Sequence, residues 1–401
     1  MKESKADRIY KVIMIIVLTV VITFIVTTLI MYNKIGDTSI KYITESSNMD
    51  TTFRTFHDFI EKNYIGDLDE DKMLENALKG YVEGLGDEYS EYIAKGEMEE
   101  YIEDTMGKYV GIGVYIANNT ETNQIIVVMP IKGGPAEETG IQAGDIITKI
   151  NDVTYTGEQL SEASRVLKSE AGTIAKVEVL RNGDSMTFEV ERREVTISHI
   201  ESSVLDNRIG YMQIASFNEE CYDEFKENYE NLKNQNISSL IIDLRNNGGG
   251  IVSEALDIAD MFTNKDDTLL VTTSKNEKEK VTKAKEDKKI NMPIVILVNE
   301  NTASASEILT AAIKENNVDN VTVVGTKTFG KGVIQTIFSL SDGSGLKLTT
   351  NEYFTPKHNK INKVGITPDV IIDLEDGTTY YTVTAENDTQ LKKAIEILKN
   401  K

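Results

Sequence analysis

The chain has no tryptophan, one cysteine and three histidines among its 401 residues. A single cysteine excludes an intramolecular disulfide framework, so the fold must be held by packing alone. We interpret this residue, Cys221, as structural rather than as a nucleophile, because it lies in a polar, helix-like stretch. The histidines, His57, His199 and His358, lack the spacing of metal ligands. We therefore predict no metal centre, and a histidine-based catalytic triad has few candidates.

Positive charge is also scarce. The 43 Lys and Arg residues are outnumbered by 65 Asp and Glu residues, which gives a formal net charge of -22. Binding to a phosphate backbone needs clustered basic side chains, so we exclude nucleic acid as a partner. Hydrophobic residues make up 40% of the chain and charged residues 27%, which is ordinary for globular protein. This length allows two or three domains.

Residues 12–32 form one long run without a charged residue. The run is long enough to cross a hydrocarbon core as a helix. Four basic residues precede it, and such flanks stay in the cytoplasm. A cleaved signal peptide would have a shorter apolar stretch and a small-residue cleavage site, which is missing after the run. We predict a cytoplasmic segment at 1–11, a single transmembrane helix at 12–32 and an extracytoplasmic body anchored to the cell membrane.

A helical N-terminal region is predicted at 50–108. Phe53, Phe56, Phe59 and Ile60 recur at helical spacing, and a second such series begins at Met73. The pattern fits a cap or dimerisation element and a plain linker bundle equally well. A homo-oligomer is therefore left open.

Between residues 109 and 195 the pattern changes to short strands punctuated by glycine. The run Tyr109-Val110-Gly111-Ile112-Gly113-Val114, followed by Pro135-Ala136 and Gly144-Asp145-Ile146-Ile147, resembles a PDZ domain, which is a β-rich, partly open barrel. Such domains accept an extended peptide as an added strand and hold its terminal carboxylate with backbone N–H groups. The resemblance implies that Gly111, Ile112, Gly113 and Val114 bind a peptide carboxylate.

An α/β body is predicted at 196–376. Apolar, β-branched runs of the kind buried in a sheet covered on both faces alternate here with helical segments. The strands are predicted at 239–244, 293–298 and 321–324, and the helices at 221–232, 253–262 and 306–314. A C-terminal helical segment is predicted at 377–401.

Three turns of small residues follow strands of this body, where α/β sheets bind ligands. The turn 246–250 contains three glycines, which fit an anion-binding set of N–H groups or a plain tight turn. Ser304 precedes a helix, where negative charge is favoured, but Ser304 and Glu307 also have the spacing of a capping box. Lys331 lies between two glycines and can approach another backbone closely, although most such lysines are solvated.

Together these segments resemble the carboxyl-terminal processing peptidases, also called tail-specific proteases, from residue 50 to the C-terminus. The resemblance extends to residues 80–92, 348–356 and 365–369. It implies a protease body of the crotonase/Clp-protease type with an inserted PDZ domain and no cofactor.

By position, the resemblance implies that Ser304 is the nucleophile, Lys331 the general base and Gln335 the residue that orients the lysine amine. The backbone N–H groups of Ala305 and Gly249 would form the oxyanion hole. We prefer Gly249 to Gly248, because many relatives carry proline at the latter position and proline has no N–H. Ser306 stays open as an alternative nucleophile, since the spacing to Lys331 is slightly longer than in many relatives.

The chemistry of such a pair is consistent with the neighbouring residues. A serine hydroxyl needs a base to remove its proton. Lysine serves only when neutral, so its pKa must fall from about 10.4 through burial or nearby positive charge. The apolar neighbours Phe329, Val333 and Ile334 are expected to contribute that burial.

The predicted function is therefore a serine endopeptidase that recognises exposed apolar C-terminal tails of protein substrates. The alternatives are a catalytically inactive PDZ scaffold that only binds tails, and a hydrolase that acts on the cell wall. The joint presence of Ser304, Lys331 and Gln335 favours the protease over the scaffold. A domain that reads peptide termini argues against the cell-wall hydrolase.

Overall fold

The computed structural model describes residues 14, 18–27, 48–317, 320–375, 378, 383–384 and 386–400. The predicted cytoplasmic segment and residues 12–13, 15–17 and 28–32 of the predicted transmembrane helix lie outside these residues, while 14 and 18–27 are helical. Within the ranges given, no helix is both long enough and apolar enough to cross a membrane. The anchor therefore stays a prediction.

The chain divides after Leu78 into two units. The first contains helix α1 (Met49–Asn63) and the start of α2 (Glu70–Glu83). Helix α1 begins after Asn48, whose side chain accepts a hydrogen bond from the Asp50 N–H and so satisfies one of the free donors of the first turn. The prediction of a helical N-terminal region is confirmed.

A β-rich domain follows strand β1 (Glu91–Ile93) and helix α3 (Lys95–Met106). Its first and last strands, β2 (Lys108–Gly111) and β9 (Arg193–Thr196), pair antiparallel and bring its two ends together. Between them lie β3 (Val114–Asn119), β4 (Gln124–Pro130), α4 (Pro135–Thr139), β5 (Ile146–Ile150), β6 (Val153–Thr154), α5 (Leu160–Leu167), β7 (Ile174–Arg181) and β8 (Asp184–Glu191).

The sheet of this domain has the order β3-β4-β5-β7-β8, with β6 paired to β5. Ala175, Val177 and Val179 of β7 are buried, because successive side chains of a strand point to opposite faces and this set faces the core. The predicted change from helices to short strands is confirmed.

The larger body contains a second six-stranded sheet of order β10-β11-β12-β15-β16-β19. Its strands are β10 (Ile200–Leu205), β11 (Ile209–Ile214), β12 (Ser239–Asp243), β15 (Ile294–Val298), β16 (Val321–Gly325) and β19 (Val370–Ile371). All neighbours are parallel except the edge pair β10–β11. Every residue of β12 and β15 is buried, as predicted for strands covered on both faces.

Helices cover both faces of this sheet. On one face pack α6 (Cys221–Asn234), α7 (Val252–Asp260) and α8 (Ala305–Asn316), and on the other packs α9 (Thr389–Lys399). Asp243 pairs with Leu297, and Val298 pairs with Gly325, so the carboxyl ends of β12, β15 and β16 are level. The three turns identified in the sequence therefore start at one edge of the sheet.

A smaller sheet completes the body, with β1-β18-β13-β14 in order and β17 paired to β18. Its remaining strands are β13 (Thr268–Ser274), β14 (Lys280–Lys283), β17 (Val333–Ser339) and β18 (Gly345–Phe354). Strand β1 pairs with the first residues of β18, with Glu91 opposite Lys347. This pairing brings the residues just before β1 towards the loop that precedes β17.

Candidate active site

The glycine turn after β12 touches the start of α8. Gly249 has a φ of 108°, which L side chains rarely adopt. A Cβ atom at Gly249 would also lie 2.8 Å from Ser304 Cβ and 3.0 Å from Ala305 N. Only glycine fits both the dihedral angle and the space, and the turn lies directly against Ser304 and Ala305.

The two expected oxyanion donors differ in their present partners. The N–H of Ala305 is the first of α8 and finds no acceptor in the described chain, as is usual for the first turn of a helix. The N–H of Gly249 donates to Oδ1 of Asn247 at 2.8 Å. An oxyanion could therefore accept a hydrogen bond from Ala305 N–H without any rearrangement. A hydrogen bond from Gly249 N–H would first require the bond to Asn247 Oδ1 to break.

The two neighbouring serines occupy different environments. Ser304 is the N-cap of α8 with φ 56° and ψ -118°, a strained conformation that recurs where a strand turns sharply into a helix to present a nucleophile. Ser306 is fully buried, and its hydroxyl donates to the carbonyl of Asn247 at 3.0 Å. The Ser306 hydroxyl is thus already hydrogen-bonded inside the fold, while Ser304 lies at the turn that precedes α8.

Lys331 lies on the loop between β16 and β17, pressed against residues 361–365. A Cβ at Gly330 would lie 2.8 Å from Gly365 N, and one at Gly332 would lie 2.2 Å from Asn362 N. The two glycines therefore permit the close backbone approach that the sequence predicted for this lysine.

Burial lowers the pKa of the Lys331 amine, the positive charge of Lys347 lowers it further, and Asp87 and Glu88 oppose the shift. The Nζ atom lies 4.6 Å from the centroid of the Tyr89 ring. The direction of this shift is the one that general-base chemistry needs. The cause of the lowered pKa differs in part from the expectation. The neighbouring Phe329 is 57% exposed, so it contributes little to the burial of the lysine amine.

Gln335 lies on β17, and its amide donates to the Thr349 hydroxyl on β18 at 3.0 Å. The orienting role expected for Gln335 requires its side chain to turn from Thr349 to Lys331. That role stays a prediction.

Sequence reasoning missed two groups at this site. Tyr89 belongs to a segment far from Lys331 in the chain, and no local sequence pattern predicts that the two side chains meet. Glu307 was noted only for its capping spacing, and its carboxylate does accept the Ser304 N–H at 3.0 Å. Its further contacts come from residues that only the tertiary fold brings near.

A buried ion-pair network fixes the start of the glycine turn. The Arg245 guanidinium bonds the carboxylates of Asp243, at 2.6 Å, and of Asp388, at 2.9 Å, and all three side chains are almost wholly buried. Gln390 Oε1 accepts a further hydrogen bond from Arg245 at 3.1 Å. Helix α9 is thereby joined to the turn that carries Gly249.

A second candidate site is a groove of the β-rich domain between β3 and α5. It has a volume of about 150 Å³ and is lined by Ile112, Gly113, Val114, Leu167 and Lys168, among others. The carbonyls of Ile112 and Gly113 accept bonds from the domain's own backbone, while their N–H groups have no backbone acceptor in the described chain. These N–H groups are available to a bound peptide.

The remaining residues of this loop are also at the groove. Gly111 forms a backbone bridge with Lys168, and the Lys168 amine pairs with Glu103 of α3 at 2.6 Å. Three of the four predicted carboxylate-binding residues, Ile112, Gly113 and Val114, therefore line the groove, and Gly111 adjoins it through its bridge to Lys168.

Comparison with known proteins gives consistent matches along the chain. Residues 208–372 match peptidase family S41, 126–181 match the PDZ domain, and 21–97 match the N-terminal domain of the activating protease CtpB. The chain is 33% identical over 361 residues to the carboxy-terminal processing protease CtpA of Bacillus subtilis, which covers 89% of this chain and 77% of that protein.

Two further matches concern a cyanobacterial relative and a solved structure. The carboxyl-terminal-processing protease of Synechocystis is 34% identical over 300 residues, with 73% of this chain and 69% of the relative covered. An S41-type protease of Bacteroides fragilis superimposes with a TM-score of 0.52 at 16% identity, over 80% of this chain and 90% of the other. The latter shows a shared fold.

Proposed function

Because the chain belongs to the carboxyl-terminal processing serine proteases of peptidase family S41, we propose that it cleaves protein substrates near their C-terminal tails with a Ser304–Lys331 dyad. One observation carries the proposal. Ser304 occupies a strained turn at the start of α8, directly against Gly249 and beside the Ala305 N–H, for which the described residues provide no acceptor.

In the proposed mechanism the neutral Lys331 amine takes the proton of the Ser304 hydroxyl as its oxygen attacks the substrate carbonyl carbon. The oxyanion that forms accepts hydrogen bonds from Ala305 N–H and, once Asn247 releases it, from Gly249 N–H. The Lys331 ammonium then protonates the departing amine. The neutral lysine next takes a proton from water, whose oxygen attacks the acyl carbon. The bond to Ser304 Oγ then breaks, and the Lys331 ammonium returns the proton to that oxygen, which restores both residues.

The backbone around Gly113 is proposed to hold the substrate's terminal carboxylate, with apolar tail residues in the groove lined by Ile112 and Leu167. Support comes from the N–H groups of Ile112 and Gly113, which have no backbone acceptor among the residues that the structure describes. Lys168 also lines the groove, but its charge is already paired with Glu103, so the backbone N–H groups are proposed to carry the carboxylate binding.

Amidating the C-terminus of an apolar peptide is therefore expected to weaken its binding by about 1.5–3 kcal/mol, because charge-assisted hydrogen bonds are lost. Fluorescence titration of the full chain carrying Ser304→Ala measures this without cleavage. The free acid with scrambled tail residues is the control for apolar contacts. Equal affinities for acid and amide would rule out the carboxylate role.

We also propose that the chain is a single-pass membrane protein with its catalytic body outside the cytoplasm. The support is the uncharged run at 12–32 and the basic residues before it. External protease added to intact cells is expected to degrade the body. Recovery of an intact body as a soluble cytosolic species would contradict the proposal.

A further inference from the structure

Glu307 is a fully buried carboxylate whose oxygens accept hydrogen bonds from both parts of the proposed dyad. Oε2 accepts from Ser304 N–H at 3.0 Å and from Lys331 N–H at 2.9 Å. Oε1 accepts from Gly330 N–H at 2.9 Å and from the Thr328 hydroxyl at 2.5 Å. One side chain thus joins the start of α8 to the loop that carries Lys331.

Tyr353 of β18 makes the same connection with its hydroxyl. Its oxygen lies 3.1 Å from the Ser304 carbonyl oxygen and within hydrogen-bond reach of the Lys331 carbonyl oxygen. Tyr353 is fully buried. Burial, followed by the nearby Glu307 and Tyr89, raises its pKa well above the usual range, so the hydroxyl stays a neutral donor.

These contacts exceed what capping a helix requires. A capping glutamate bonds one backbone N–H at the helix start, whereas Glu307 accepts four donors, three of them from another loop. Tyr353 completes the arrangement, because its single hydroxyl proton is shared between the carbonyl oxygens of Ser304 and Lys331, the two residues whose N–H groups Glu307 bonds. Glu307 therefore bonds the backbone N–H groups of Ser304 and Lys331, and Tyr353 contacts their backbone carbonyl groups.

We propose that Glu307 and Tyr353 are positioning residues that fix the separation of Ser304 and Lys331. The inference rests on the proposed dyad. Proton transfer requires hydrogen-bond reach between nucleophile and base, and a misplacement of about 1 Å costs roughly 100-fold in rate. Both side chains act through the backbone of the dyad and do not touch the substrate.

Tyr353→Phe tests this with little disturbance, because it removes one hydroxyl, keeps the ring and changes no charge. Single-turnover cleavage of an unfolded protein is expected to slow about 10- to 100-fold, with KM within about twofold of wild type. Glu307→Gln is expected to slow it further, because an amide nitrogen would meet two of the four donors. Tyr229→Phe, which removes another buried tyrosine hydroxyl from the same body, is the matched control and should retain the wild-type rate.

The pKa of the Lys331 amine gives a readout that lost stability alone would not move. In Tyr353→Phe the loop that carries Lys331 loses a contact, and the lysine amine becomes more exposed to water. The pKa of this amine is therefore expected to rise. The other groups that face the amine are unchanged in the variant: Lys347, Asp87, Glu88 and the Tyr89 ring. NMR of ¹³C-methylated lysines measures this pKa in the folded protein. Lys331→Arg assigns the signal, and thermal melts confirm folding.

The outcomes separate the two claims. If Ser304→Ala is inactive while Tyr353→Phe and Glu307→Gln cleave at the wild-type rate with an unchanged Lys331 pKa, the positioning inference is wrong and the dyad stands. If Ser304→Ala cleaves as wild type does, the proposed function fails. The pKa measurement then still decides whether Tyr353 and Glu307 hold the lysine loop, and an unchanged pKa in both variants overturns that claim.

Discussion

Lys331→Ala is expected to slow single-turnover cleavage by about 10²- to 10⁴-fold, the usual contribution of a general base. The variant should fold normally, because the lysine backbone keeps its bonds to Glu307 and Tyr353. Lys331→Arg should not restore activity, since a guanidinium stays protonated and cannot accept the serine proton. Lys233→Ala, which removes an exposed lysine paired with Glu230, is the control. A fully active Lys331→Ala protein would contradict the dyad.

The pH dependence of the wild-type enzyme follows from the same lysine. Only the neutral amine is a base, so activity should rise as the pH rises through the Lys331 pKa, with a midpoint below lysine's ordinary value of about 10.4. Lys347→Gln should move that midpoint up, because it removes a positive charge that disfavours the ammonium. A rate independent of pH between about 6 and 10 would argue against lysine as the base.

Ser304→Ala is expected to abolish proteolysis, with a loss of about 10⁴-fold or more, as for removal of a serine nucleophile elsewhere. Ser306→Ala should keep a measurable rate and lose about 0.5–1.5 kcal/mol of unfolding free energy, because the Asn247 carbonyl loses one of its two donors and keeps the Ala303 N–H. Single-turnover cleavage and denaturant unfolding of both variants measure the two effects. A folded but inactive Ser306→Ala together with an active Ser304→Ala would reverse the assignment.

The layout of the fold was predictable because its signals are local. The apolar, β-branched run at 293–298 is typical of a strand covered on both faces, and the structure buries every residue of β15 (Ile294–Val298). Gly330 and Gly332 indicated a close backbone approach, which the space around them confirms, and the structure adds Gly249 as a third such position. Periodicity and glycine placement reflect sterics within a few residues, which the sequence records directly.

The side-chain partners at the site were not predictable in the same way. Gln335 bonds Thr349 on a neighbouring strand, and Glu307 accepts hydrogen bonds from Thr328, Gly330 and Lys331 on another loop. Tyr353 reaches Ser304 over 49 positions of sequence. These bonds depend on how loops meet after the sheets have packed, and neither residue type nor spacing specifies them.

The central claim is that Ser304 is the activated nucleophile, and its most direct test is covalent labelling of the full chain with an organophosphonate. Peptide mass mapping then identifies the modified residue. The account predicts a single adduct on Ser304, lost in Ser304→Ala, strongly reduced in Lys331→Ala and retained in Ser306→Ala. An adduct on Ser306, or labelling of Ser304 that is unaffected by removal of the Lys331 amine, would contradict it.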